Sequence, residues 1–88
     1  MLVFQEVYEH PSQASRVRLN VYEYKPETQV AGMGPTEPGF MVTEDRVGTV
    51  TVVSTLGFFP TQEQAFAAVR SRARELQAQR YGSLIPAA

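Results

Sequence analysis

The sequence has no cysteine, no tryptophan and a single histidine among its 88 residues. Without cysteine the chain can form neither disulfide bridges nor thiolate metal sites. The histidine, His10, has Glu6 and Glu9 nearby, but these three residues lack the dense ligand spacing that metal ions need. We therefore expect no metal ion and no other cofactor.

Long hydrophobic runs are also missing. No segment approaches the roughly 20 apolar residues of a membrane span, and residues 1–6 lack the basic and apolar regions of a signal peptide. The net charge of −1 indicates no overall attraction to nucleic acid or to anionic membranes. We expect a cytoplasmic protein that does not associate with membranes.

Catalytic patterns are equally scarce. A Ser-His-Asp triad would have to use His10 and Asp45, yet His10 precedes Pro11 in a predicted turn and no serine lies on a strained elbow between glycines. The adjacent carboxylates Glu44 and Asp45 fall in another predicted turn, where such side chains are usually hydrated. The glycine-containing stretch 32–35 lacks the lysine and the hydroxyl residue of a phosphate loop. We therefore predict that the protein is not an enzyme.

The clearest element that is present is a helix beginning after Thr61 and ending near Tyr81. Thr61 is a favourable N-cap, and Gln64 three residues later completes a capping box. Gly82 is predicted to take the left-handed position that ends the helix, and residues 83–88 form a short tail. Apolar residues recur at helical spacing and form one stripe: Ala65, Phe66, Val69, Ala73 and Leu76.

The segments before this helix have the pattern of strands. Residues 2–9 and 16–25 are predicted to pair as one hairpin. Residues 40–43 and 47–56, rich in valine and threonine, are predicted to pair as a second hairpin, with the turn at residues 44–46. Gly57 is expected to end the last strand.

Residues 26–39 contain three prolines and three glycines, a composition that excludes a regular element. A connection of this length in a small domain is either a flexible linker or a functional loop, such as a lid or a partner-binding segment. At 88 residues the chain forms a single domain, residues 1–88. The predicted fold class is α+β: a four-stranded antiparallel sheet of two hairpins, with one C-terminal amphipathic helix packed on one face.

One strand face is the candidate interaction site. If the alternating residues Val17, Leu19 and Val21 lie under the helix, their neighbours face the other way: Arg16, Arg18, Asn20, Tyr22 and Tyr24. Tyrosine and arginine are enriched in protein interfaces, and sheets that bind single-stranded nucleic acid combine aromatic stacking with cations. Tyrosines also suit an exposed sheet surface that binds nothing.

Phe59-Pro60-Thr61 leading to Ala65, with the pair Tyr81-Gly82 closing the helix, resembles the C-terminal part of WGR domains over the last third of the chain. The resemblance implies a small sheet-plus-helix module associated with nucleic-acid repair proteins. The tryptophan-glycine-arginine signature of that family is absent, because the chain has no tryptophan, and the closing pair has the reverse order. Membership is not inferred.

These observations predict a non-catalytic interaction or oligomerisation domain. Since one helix covers one side of a sheet, we expect a symmetric homodimer through the open face that carries Tyr22 and Tyr24. The alternative is a small nucleic-acid-binding domain that uses the arginines and tyrosines of strand 16–25. An enzyme with a site between subunits, near the loop 26–39, ranks third.

Overall fold

The computed structural model describes residues 1–12, 14–25 and 37–84. Most of the predicted loop 26–39 and of the tail 83–88 therefore lies outside the described residues. In chain order the elements are β1 (Leu2–Glu9), β2 (Arg16–Tyr24), β3 (Gly39–Val47), β4 (Thr51–Phe59), α1 (Gln62–Ala78) and β5 (Gly82–Leu84).

The strands form one antiparallel sheet in the order β4-β3-β2-β1-β5. The predicted α+β fold, with strands β1 to β4 and a C-terminal helix packed on one face, is confirmed. The short strand β5 is an addition that the sequence did not reveal. Its three residues pair with Val7, Tyr8 and Glu9 of β1, and a strand this short has no recognisable alternation of its own.

The second hairpin is longer than predicted, and its turn lies elsewhere. Residues 44–46 belong to β3, and the chain reverses at residues 48–50. The turn was predicted at 44–46 because three consecutive charged residues normally mark a solvent-exposed segment, and this prediction was wrong. Here tertiary contacts hold Glu44 and Asp45 in the sheet, where both accept bonds from other elements.

Gly57 does not end β4. It pairs with Val42, whereas the next residue of β3, Thr43, pairs with Thr55, so Leu56 is an extra residue in a β-bulge. A side chain at Gly57 would meet the ring of Phe59 within 2.9 Å. The glycine therefore permits a close approach inside the strand rather than a break in it.

Thr61 is the N-cap of α1 as predicted, whereas the end of the helix differs from the prediction. The Thr61 hydroxyl accepts a hydrogen bond of 3.2 Å from the backbone N–H of Gln64. At the other end, Arg80 and not Gly82 has a left-handed backbone, with φ of 74°. The N–H of Arg80 donates to Gln77 and that of Tyr81 to Leu76, both at 3.0 Å. This is the bonding pattern of a Schellman motif.

The helix ends at Ala78, three residues before Tyr81, whose N–H makes the last bond of this motif. The chain then returns to the sheet. Tyr81 is 5% exposed and packs with Leu76 in the core, while Gly82 begins β5. The core lies between α1 and one sheet face. Its buried members are Tyr8, Val17, Leu19, Val21, Val42, Ala65, Val69, Leu76 and Tyr81. The predicted stripe on α1 is therefore the core side of the helix, with Phe66 and Ala73 partly buried at its margin.

Candidate interaction surfaces

The side chains predicted as an interaction face lie on the sheet face opposite α1. They alternate along β2 with Val17, Leu19 and Val21, which are fully buried beneath the helix. Their exposure differs sharply, however. Arg16 is exposed and Tyr22 is half-buried, whereas Asn20 is fully buried and Tyr24 is 9% exposed. The face is therefore not a uniform row of available side chains.

Asn20 is buried by polar side chains of the two neighbouring strands, β1 and β3, on the helix-free face. Its side-chain oxygen accepts a bond of 2.7 Å from Gln5 of β1. Its amide nitrogen donates to Thr43 at 3.2 Å and to Asp45 at 3.1 Å, both in β3. We call Gln5, Arg18, Asn20, Thr43 and Asp45 the polar row. Asn20 thus uses both amide hydrogens and one of the two lone pairs of its oxygen, and its side chain is engaged within the protein.

Both arginines of β2 have carboxylate neighbours. Arg18 Nη2 lies 3.3 Å from the Asp45 carboxylate, and Arg16 Nε lies 3.6 Å from that of Glu9. Arg18 Nε is buried and has no hydrogen-bond partner among the described residues. The positive charge on this face is thus balanced locally, which weakens the attraction for a phosphate backbone.

Tyr24 belongs to an aromatic corner at one end of the helix-free face. Its ring meets that of Phe58 edge-on, with ring centres 5.9 Å apart. The Phe58 ring lies over Gly39, where a side chain would approach it to 2.6 Å and the Phe59 carbonyl to 2.7 Å. A glycine at position 39 is therefore needed for this contact, and Tyr24 is engaged within the protein.

Four of the eight large apolar side chains that are exposed among the described residues lie on β4, at the edge of the sheet. Seven of its nine residues are exposed, including Val52 at 55% and Val53 at 64%. The register places Val52 on the helix side and Val53 on the helix-free side. The strand contains no charged residue and no proline. Edge strands normally carry such residues to prevent further pairing.

A partly buried ion pair fixes α1 to β3. Glu44 is 7% exposed and accepts two bonds from Arg72, from Nε at 2.5 Å and from Nη2 at 3.2 Å. Arg72 also donates to Glu75 at 2.7 Å, and Arg46 lies 3.7 Å from Glu44. Hydrogen bonds to Glu44 and then to Glu75 raise the pKa of Arg72. The arrangement orients the helix and contains no reactive nucleophile.

The residues considered for catalysis are not brought together. His10 contacts Ser12 at 3.1 Å and meets the Tyr81 ring edge-on at 5.2 Å. Asp45 instead contacts Asn20 and Arg18. Within the part of the chain that is described, no group of three or more acidic or histidine side chains is placed to hold a metal ion. The same part contains no helix with the length and apolar character to cross a membrane.

Comparisons with known proteins give no match. No family model, no curated protein and no solved structure is significantly similar to this chain. Any function must therefore be inferred from the structure of this chain alone.

Sequence reasoning missed two features of this geometry. It noted the valines and threonines of β4 but placed the strand too early and did not identify it as a sheet edge. It also treated Glu44 as a hydrated turn residue, although Glu44 is the partner of Arg72. The run of β-branched residues without charge was a signal for the first. Nothing in the local sequence indicates the second, because Arg72 lies 28 positions away.

Proposed function

We propose that this protein is a non-catalytic interaction module that self-associates by antiparallel pairing of β4 with β4 of a second copy. The observation that carries the proposal is an edge strand with the composition of a central strand. Apolar side chains emerge on both of its faces, as is typical of strands buried inside a protein and not of exposed sheet edges. Its outer backbone groups have no strand beside them in the described structure.

Antiparallel pairing about a two-fold axis suits the sequence of β4. The bulge at Leu56 restricts regular pairing to residues 51–55. A register centred on Val53 places Val53 opposite its own copy, and Thr51 opposite Thr55 of the second copy. Valine and threonine pairs of this kind stabilise antiparallel sheets by about 0.2–1 kcal/mol each. Since the segment is uncharged, no repulsion opposes the approach.

This proposal shifts the interface predicted from the sequence. Tyr24 already packs on Phe58, and the centre of the helix-free face is occupied by the polar row. Exposed apolar side chains remain instead along the sheet edge formed by β4. Single-stranded nucleic acid on the helix-free face has less support, because Arg16 and Arg18 both have carboxylate neighbours.

The test is the mass of the protein by light scattering over a range of concentrations. We expect a monomer–dimer equilibrium in the unmodified protein and monomers for Val53→Lys. In the proposed register the two lysines would lie directly opposite one another, where like charges destabilise pairing. Val53 is exposed, so the monomer should keep its fold, with the melting temperature that the unmodified protein has at concentrations where it is monomeric.

Val3→Lys is the matched control. Val3 is 40% exposed and lies in β1, towards the edge of the sheet opposite β4. This variant should therefore still dimerise. A monomer at every concentration in the unmodified protein would contradict the proposal. Dimers that survive Val53→Lys but dissociate with Val3→Lys would place the interface elsewhere.

A further inference from the structure

A groove of about 440 Å³ runs along α1 on its β1 side. It exists because the helix packs on β2, β3 and β4 and leaves Phe4 and Glu6 of β1 partly uncovered. The apolar floor is formed by aromatic and aliphatic side chains from both elements: Phe4, Tyr8, Phe66, Val69 and Ala73. Phe4 and Phe66 meet edge-on, with ring centres 5.1 Å apart, at one end of this floor. The volume is within the range of small-molecule sites, about 300–1,000 Å³.

Two guanidinium groups line the helix side of this groove. Arg70 and Arg74 are one helical turn apart and both are exposed. Neither has a carboxylate within ion-pair distance among the described residues. Like charges at this spacing repel within an isolated helix, so the pair is electrostatically unfavourable without an anion. Arg72, on the other side of the same helix, is by contrast fully engaged with Glu44 and Glu75.

The β1 side of the groove has the opposite character. Among the described lining residues Glu6 supplies the single carboxylate, and it accepts a hydrogen bond from the buried hydroxyl of Tyr8. An anionic group would therefore be repelled from β1 and attracted to the helix. Gln77 adds an amide to the helix side. The groove thus has an apolar floor, positive charge on its α1 side and negative charge on its β1 side.

We propose that this groove binds a medium-chain carboxylate, with the apolar chain on the aromatic floor and the carboxylate between Arg70 and Arg74. Guanidinium groups bind carboxylates through short, charge-assisted hydrogen bonds, often in pairs. The apolar body provides burial, and the two arginines provide orientation and selectivity. This site goes beyond the proposed self-association, and it lies on the β1 side of α1, away from the β4 edge.

The probe is decanoate, titrated into the full chain below its micelle-forming concentration and followed by amide chemical shifts. We expect saturable shifts confined to residues of β1 and α1 that line the groove. 1-Decanol has the same chain without the charge and should bind at least tenfold more weakly. The double variant Arg70→Gln/Arg74→Gln should lose at least tenfold in decanoate affinity while keeping its melting temperature.

A matched control removes the same charge elsewhere. Arg16→Gln/Arg80→Gln replaces one exposed arginine in β2 and one just after α1, neither of which lines the groove. This variant should bind decanoate as the unmodified protein does. Ala73→Phe fills the floor and should abolish the shifts. Equal affinity for decanol and decanoate, or equal losses in the two arginine variants, would overturn the proposal.

Discussion

Both faces of β2 contain fully buried side chains, but different neighbours bury them. On the helix side, Val17, Leu19 and Val21 are fully buried by apolar side chains of α1 and the neighbouring strands. On the other side no helix covers the strand, yet Asn20 is also fully buried. Its cover is lateral, because side chains from β1 and β3 meet over it and satisfy its hydrogen bonds.

This difference shows that exposure cannot be inferred from helix cover alone. It also predicts that the two faces stabilise the fold through different interactions. Burial of apolar area stabilises the fold in proportion to the area removed from water, about 25 cal/mol per Å². A hydrogen-bonded polar group adds a smaller net amount, but breaking its network leaves buried groups without partners. Substitutions on the two faces should therefore destabilise the protein for different reasons.

The largest effect is expected on the helix side. Leu19→Ala should lower the free energy of unfolding by about 2–5 kcal/mol, because it removes buried methyl groups and leaves a cavity. That is a large share of the roughly 5–15 kcal/mol that stabilise a small domain. Denaturant titration measures the change. Leu2→Ala, the same substitution at a 44% exposed site, should cost less than about 1 kcal/mol; similar losses in both would mean that the helix-side core is wrongly placed.

A smaller effect is expected on the helix-free side. Asn20→Ala should cost about 1–3 kcal/mol, since Gln5, Thr43 and Asp45 each lose a hydrogen-bond partner. Gln5→Ala, at the exposed end of the polar row, should cost clearly less. The same denaturant titration compares them. If Asn20→Ala matched the unmodified protein, water would be satisfying these groups, and the helix-free face would be open to ligands.

The smallest effect depends on pH and again concerns the helix side. Burial, followed by the hydrogen bond to Glu6, raises the pKa of Tyr8 above its usual value near 10. The neutral phenol is thus favoured in the folded state. Its contribution is fully present below pH 10 and is lost as the pH rises further, by up to about 1.4 kcal/mol per pH unit.

Tyr8→Phe should flatten this alkaline loss, measured as the free energy of unfolding between about pH 9 and 11. Tyr22→Phe, the same change at a half-buried site on the helix-free face, should keep the loss unchanged. An alkaline loss of the same size in Tyr8→Phe would show that other groups are responsible. Tyrosine ionisation on the two faces would then not differ in its effect on stability.

Features that depend on neighbouring residues in the chain were predictable. Thr61 caps α1 as expected because its hydroxyl reaches a backbone N–H only three residues away. The alternation in β2 correctly separated Leu19 from Asn20, since successive side chains of a strand point to opposite faces. Whether a residue on the helix-free face would be exposed could not be read from that pattern.

The errors share one physical cause. Glu44 was assigned to a turn because its local sequence is polar, but Arg72 binds it from another element. Gly82 was the favoured left-handed residue, yet Arg80 takes that conformation so that Tyr81 can enter the core. In each case a distant contact outweighs a local preference worth about 1 kcal/mol.

The sequence by itself determined the α+β class, the start of α1 and the two-sided character of β2, because these follow from spacing along the chain. The tertiary structure decided which surfaces remain available. It placed the uncharged strand β4 at the edge of the sheet, engaged Arg16 and Arg18 with carboxylates, and left Arg70 and Arg74 beside an apolar groove. Availability depends on which distant side chains meet, and only the folded chain brings them together.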